Sequence, residues 1–368
     1  MTKDKDLSSR FVLNYLPGFD CRQATLRNNL AFHNCLLSNA MLLGLSGCYT
    51  FTYNTPKNPR GLPYYTIAGI LDQSLESIPS QFGAYIIRNK LSKDSSIYSQ
   101  ISGYLEQGLP VNVAINKPLL TYYLGERSKE FQIEFYNIGY HYVTVTAIDQ
   151  NNYVTLFETN SRTPIRLSAQ EFEDIWFFDS KYARKVVDKY QQCDGYYYCL
   201  YPPISTPQLC YYTKLLAVKR VVDSFFFSPI ESVGSRGLDI FLEDTQSWRE
   251  KKPEEGMLIS SIRFFRVLEL PLSGGGFGRK LFGFFLADLA ESINDEVLRD
   301  LSKKFTRGAS RWSKFICQIN STEVIKNNRI NFDKLGDYID EMVPELVDLE
   351  KECMDQLGNW VDTKLKHS

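Results

Sequence analysis

Leu16-Pro17-Gly18-Phe19-Asp20-Cys21-Arg22-Gln23-Ala24-Thr25-Leu26 is a turn that runs straight into a helix. Pro17-Gly18 punctuates the chain. Asp20 lies three residues before Gln23, the spacing of an N-terminal capping box, which makes Cys21 the first helical residue. The helix is predicted to run from about Ala24 to Leu43, with Leu26, Leu30 and His33 or Asn34 on one stripe. At the positive end of a helix dipole a cysteine is favoured as thiolate. The free N–H groups of the same turn can receive an oxyanion. None of the other seven cysteines has this setting.

A thiol nucleophile needs a base, and the chain has three histidines. His367 is the penultimate residue, where chain ends fray. His33 follows Cys21 by twelve residues in the same predicted helix, about 18 Å at about 1.5 Å per residue. That leaves His141, which opens Tyr140-His141-Tyr142-Val143-Thr144-Val145-Thr146. Alternation puts His141, Val143 and Val145 on one face of a strand. A cysteine at a helix start facing a histidine on a distant strand is an arrangement used by thiol nucleophiles. A third group orients the imidazole. Asp149 is eight residues along the strand, about 26 Å away at about 3.3 Å each, and is excluded. Glu158 and Asn160 lie on the return strand and share parity with His141 for a hairpin loop of even length. Glu158 is the first choice and Asn160 the alternative; register decides between them.

A chain of 368 residues accommodates about two domains of ordinary size. The net charge of −1 provides no general attraction to nucleic acid or acidic membranes. The charged start, Met1-Thr2-Lys3-Asp4-Lys5-Asp6, has no apolar run behind it, and no segment reaches membrane-spanning length. A cytoplasmic protein is expected. Eight scattered cysteines without a Cys-x-x-Cys pair form neither a disulfide scaffold nor a zinc site. No cofactor or metal is implied.

Strands are predicted at Val111–Ile115, Phe131–Tyr136, Tyr140–Ile148 and Tyr153–Glu158, with a turn at Asp149-Gln150-Asn151-Asn152. Residues 61–110 read otherwise as short helices and turns. Ser168-Ala169-Gln170-Glu171 has capping-box spacing and opens a helix to about Ile175. The three prolines of Tyr201-Pro202-Pro203-Ile204-Ser205-Thr206-Pro207 mark a stiff domain edge. Beyond it, helices are predicted at Cys210–Phe227, Gly237–Arg249, Phe282–Leu301, Lys304–Ile319 and Asn331–Lys364, with short strands around Leu258–Val267. The division is set near residue 203: an α+β catalytic domain over 1–203 and a mainly helical domain over 204–368.

Asp20-Cys21-Arg22-Gln23-Ala24-Thr25-Leu26-Arg27-Asn28-Asn29-Leu30, followed by Gly44-Leu45-Ser46-Gly47 and Phe51-Thr52-Tyr53, resembles the N-terminal domain of the butirosin acyltransferase family. So do Leu105-Glu106-Gln107-Gly108-Leu109-Pro110-Val111 and the His141 strand; the resemblance spans roughly residues 10–200. Gly274-Gly275-Gly276-Phe277-Gly278-Arg279-Lys280, leading into Phe282-Gly283-Phe284, resembles the helical domain that follows in such proteins. The resemblance implies a papain-like fold and a cysteine-dependent acyltransferase. An acyl- or peptidyl-carrier protein thioester would acylate Cys21, and a small amine would take the acyl group, in antibiotic biosynthesis. The amide synthase of closthioamide assembly is similar in layout and implies a diamine acceptor. The wider relatives are papain-like peptidases, in which the third member is Asp or Asn about 16 residues after the histidine. Glu158 is 17 residues on. Those peptidases also place an oxyanion-hole glutamine shortly before the cysteine, where this chain has Asn14, seven positions upstream.

Three classes stay open: the acyltransferase, a peptidase or amidase with water as acceptor, and a non-catalytic binding module. The glycine run lacks the Gly-Lys-Ser/Thr ending of a phosphate loop and reads as a flexible loop capping the next helix. Lys303–Lys314 alternates charge with apolar residues at helical spacing, a solvated face able to dock an acidic carrier protein.

Overall fold

The structure, a computed structural model, describes residues 6–18, 20–56, 65–70, 74–81, 83–91, 97–124, 141–159, 161, 163–177, 195–202, 210–269 and 273–367. Helices α1 (Ser8–Leu13), α2 (Cys21–Phe32) and α3 (Asn39–Ser46) lead into strands β1 (Tyr49–Asn54) and β2 (Thr66–Ile70). Next come α4 (Ser74–Gln81), β3 (Tyr85–Lys90), α5 (Ile97–Glu106), β4 (Val111–Ile115) and α6 (Lys117–Tyr123). Strands β5 (His141–Ile148), β6 (Val154–Glu158) and β7 (Ile165–Leu167) precede α7 (Ala169–Phe177) and β8 (Tyr196–Tyr201). The remainder is α8 (Tyr211–Phe227), α9 (Gly234–Gln246), α10 (Trp248–Lys251), α11 (Glu255–Glu269), α12 (Arg279–Ile293) and α13 (Glu296–Ile319). A short pair, β9 (Ile325–Lys326) and β10 (Arg329–Ile330), comes before α14 (Phe332–Lys366). The class is α+β.

Packing divides the chain into two units, Met1–Asn39 with Ile78–Gln208, and Ala40–Ser77 with Leu209–Ser368. A single cut near 203 would leave residues 40–77 in the first unit, whereas they pack into the second. The side chains of β1, buried along almost its whole length, explain this. Tyr49, Phe51 and Tyr53 bury against aromatics from later helices, Tyr49 stacking on Phe282 at 4.4 Å and Phe51 lying 5.7 Å from Phe241.

In the first unit six antiparallel strands follow the order β3-β8-β4-β5-β6-β7. Val113, Val143, Val145, Phe157 and Trp176 are among its buried core. Helix α2 departs from the expected single apolar stripe, because ten of its twelve residues are buried, Gln23, Thr25, Arg27, Asn28 and Asn29 included. Buried polar groups require partners. Thr25 Oγ1 meets the Tyr198 hydroxyl at 2.6 Å, and Asn29 donates to Asn112 Oδ1 at 2.9 Å, which also accepts from Thr144 at 2.7 Å. The helix ends at Phe32 instead of continuing to Leu43. Asn34 takes a left-handed φ of 64°, and Cys35 N–H donates back to Leu30 O at 2.9 Å, a Schellman stop.

Strand β5 carries a bulge that decides the face of Glu158. Near the hairpin Ile148 pairs with Val154 and Ala147 with Thr155, but beyond it Val145 pairs with Leu156 and Val143 with Glu158. Thr146 is the extra residue. A regular ladder from the same hairpin would set Glu158 opposite Thr144, on the other face. The Thr146 carbonyl accepts from Leu7 N–H at 3.0 Å, and its hydroxyl lies 2.8 Å from Ser8 Oγ. The N-terminal segment thereby satisfies the carbonyl of the bulged residue.

Several sequence expectations change. Residues 61–110 contain the strands β2 and β3 besides helices. The strand expected at 131–136 lies outside the described residues. The Ser168–Glu171 box forms, Ser168 N–H donating to Glu171 Oε2 at 2.8 Å. In the second unit, Leu258–Val267 is helical, not stranded. Leu258, Ile262 and Phe265 recur at helical spacing and are all buried. The predicted helix 282–301 breaks at Asn294, φ 52°, after which Asp295 caps α13 through Leu298 N–H at 2.9 Å. The glycine run is not a flexible loop. Residues 273–279 are buried, and Gly276 N–H donates to the buried Glu269 carboxylate at 2.8 Å. At φ 60°, Gly276 faces Ala309 so closely that a Cβ would sit 2.3 Å from its Cα. The Lys303–Lys314 face carries ion pairs such as Lys303–Asp300 and Arg311–Glu345.

Candidate active site

Cys21 is the first residue of α2. Its N-cap, Asp20, accepts from the Arg22 and Gln23 N–H groups at 3.0 Å each. The cap is therefore formed, and two of the N–H groups expected to be open to an oxyanion are taken by this carboxylate. The approach to Cys21 is clamped. Asn28 bonds both the N–H and the carbonyl of Leu16 at 3.1 Å, and buried Arg27 donates to the Leu16 and Pro17 carbonyls. Gly18 N–H donates to Thr159 O at 3.0 Å, and the Tyr15 hydroxyl donates to Glu158 O. A side chain at 18 would collide with Ala24, its Cβ only 2.4 Å away. Two hydrogen bonds thus tie the cysteine-bearing segment to residues 158–159.

His141 begins β5, opposite Ile115 of β4. Its Nε2 lies 2.8 Å from Glu158 Oε1. The bulge puts Glu158 opposite Val143, and therefore on the His141 face. The even hairpin loop assumed from the sequence is absent; parity comes from the bulge. With Nε2 engaged, Nδ1 is the ring nitrogen left to serve a thiol. The backbone N–H of Tyr142, next to His141, hydrogen-bonds the Cys21 sulfur, which places the thiol at the head of β5.

The electrostatics reverse one expectation. Enclosure by protein, reinforced by Asp20, pushes the Cys21 thiol up to about 12, against the pull of Arg22 and the Tyr142 N–H. Burial lowers His141 below its ordinary 6.5, and Lys117 lowers it further, while Glu158 and Asp20 oppose. Near neutral pH the pair rests as thiol and neutral imidazole, not as a thiolate favoured by the helix dipole. Desolvation outweighs the Arg22 charge and the Tyr142 N–H, which favour the thiolate. Burial alone would raise Glu158, but the hydrogen bond and charge of His141, with Lys117, hold it well below the usual carboxylate range.

Residues 20–159 match the family model described as butirosin biosynthesis protein H, N-terminal. The match spans Cys21, His141 and Glu158. Residues 181–357 match a domain of unknown function, DUF4872. No curated protein matches the chain.

Asn14 does not join the site. Its amide donates to Ala31 O at 3.3 Å, near the far end of α2, about 15 Å from Cys21 by helical rise. Asn160 lies outside the described residues. His33 is the C-cap of α2 and is held neutral by burial, its pKa lowered to about 4. Lys117 escaped the sequence reading. Its ammonium lies 2.9 Å from Glu158 Oε1, and Thr159 Oγ1 donates to the same oxygen at 3.2 Å. Its one local signal is its place just past the predicted strand Val111–Ile115, and only pairing with β5 gives that place meaning. Among the described residues, no group of three or more His, Cys, Asp or Glu is arranged to hold a metal ion, and every cysteine is a free thiol. No described helix is long and apolar enough to cross a membrane.

Proposed function

We propose that the first unit is a papain-like acyltransferase, an amide synthase that moves an acyl or peptidyl group from a carrier-protein thioester through Cys21 to an amine. The observation that carries it is the thiol of Cys21 at the head of β5, beside a His141 whose Nε2 is held by Glu158. The match of this segment to butirosin biosynthesis protein H supports a place in antibiotic biosynthesis.

The protonation states suit this chemistry. A thioester is already an activated acyl group, so a neutral thiol with a base at hand can exchange with it. Cys21 Sγ attacks the carbonyl while His141 takes the thiol proton. The carrier sulfur leaves and receives that proton from His141, and Cys21 holds the acyl group. A neutral amine then attacks, His141 takes its proton and returns it to the departing Cys21 sulfur, and an amide results. Glu158 stays ionised throughout and stabilises the transient imidazolium.

The test is incubation with an acyl-carrier thioester followed by intact-mass measurement. An acyl adduct that is absent in Cys21→Ala supports the nucleophile, and one that survives the substitution rejects it. Adding amines to the acyl-enzyme distinguishes transfer from hydrolysis. Amide product supports the transferase, whereas free acid with every amine assigns a peptidase or amidase.

A further inference from the structure

Lys117 opens α6, two positions past Ile115, the residue that pairs with His141. Its ammonium and the His141 ring converge on one oxygen of Glu158, at 2.9 and 2.8 Å. The Lys117 side chain keeps 27% of its exposure and Glu158 only 7%, so the lysine reaches inward to a carboxylate with little access to water. We propose that Lys117 is a positioning residue of the Cys21–His141–Glu158 site, holding Glu158 against His141 and setting the pH at which His141 acts as a base. The inference rests on His141 being the base, but its first measurement requires no substrate.

A carboxylate alone beside an imidazole favours the protonated ring, which is a spent base. A cation on the same carboxylate oxygen offsets that effect while the oxygen goes on orienting the ring. Among the described residues the charged groups that act on His141 are Glu158 from β6, Lys117 from α6 and Asp20, the N-cap of α2, while the Cys21 thiol sits on the N–H of the neighbouring Tyr142. The paired strand β4 contributes uncharged Ile115. Glu158 and Asp20 draw a proton to the ring; Lys117 is the cation in this set near enough to counter them. Burial acts in the same direction as Lys117 and persists in a Lys117 variant.

The test uses the full chain and two substitutions. Lys117→Met retains the aliphatic stem without the charge, and Lys117→Arg retains the charge. The ring of His141 is titrated by NMR, its signals assigned with His33→Gln and His367→Gln. In Lys117→Met the midpoint should rise by roughly half a unit to one unit, and Lys117→Arg should restore it. The acid limb of Cys21 acylation should rise by the same amount, since a ring that protonates at higher pH loses base function at higher pH. A purely structural lysine would slow acylation at every pH and leave the midpoint unmoved. An unmoved or lowered midpoint overturns the inference. A raised midpoint in a protein that no thioester acylates sustains it while the acyl-transfer reading fails. Where Lys117→Met does not fold, Lys117→Gln serves in its place with the same expectation.

Discussion

Glu158 stands directly opposite Val143 across β5 and β6, and this pairing brings its carboxylate to the face of His141. The pairing exists because Thr146 is left out of the ladder, and the N-terminal segment closes over the residue left out.

The Ser8–Thr146 hydroxyl pair should therefore show energetic coupling. Ser8→Ala and Thr146→Val are each expected to cost about 0.5–1.5 kcal/mol, and the double variant no more than the larger single loss. Urea denaturation of the four proteins measures the cycle. Strictly additive losses would mean that the hydroxyl contact does not hold the bulge.

Glu158→Gln keeps an oxygen beside His141 Nε2 but removes the charge that His141 and Lys117 share. The imidazolium formed as the thiol attacks then lacks its counter-charge. Single-turnover acylation of Cys21 should slow by about 10²-fold. A wild-type rate would show that Glu158 plays no part in the chemistry.

The protonation state of Cys21 can be read by alkylation. Its pKa is pushed up to about 12, so the thiolate fraction should keep growing as pH rises through 9 and 10. Iodoacetamide labelling, followed by mass spectrometry of the Cys21 peptide, should therefore climb across that range. A plateau already reached below neutral pH would indicate a preformed thiolate–imidazolium pair and contradict the neutral resting state.

In the second unit, buried Arg279 donates Nε to Glu350 at 2.5 Å, and the Tyr49 hydroxyl donates to the other oxygen of that carboxylate at 2.8 Å. Arg279→Met leaves Glu350 buried without its cation and should cost about 3–5 kcal/mol. Arg279→Met with Glu350→Leu removes both charges and should recover part of that loss. Denaturant midpoints compare the two, and equal losses would deny that charge balance matters there.

The cap and the strand that carries His141 are legible in the sequence because both depend on a few neighbouring residues. Asp20 accepts from backbone groups two and three positions on, so Cys21 is fixed as the first residue of its helix by local bonds alone. His141 followed from strand alternation and from the lack of another well-placed histidine. The end of α2 is not legible in the sequence, because Asn34 stops the helix through a left-handed backbone that no pattern of apolar residues announces. The aromatic strand at 49–54 gave no sign of which unit would bury it, since its partners lie nearly two hundred residues and more further along the chain.

What the sequence determined by itself is the pair, Cys21 at a capped helix start and His141 on a strand. Only the tertiary structure decided how the pair is set. The face of Glu158 depends on one unpaired residue in β5, the place of Lys117 on the pairing of β4 with β5, and the protonation of Cys21 on its enclosure. Register and desolvation are sums over contacts between distant segments, and no short window of sequence contains them.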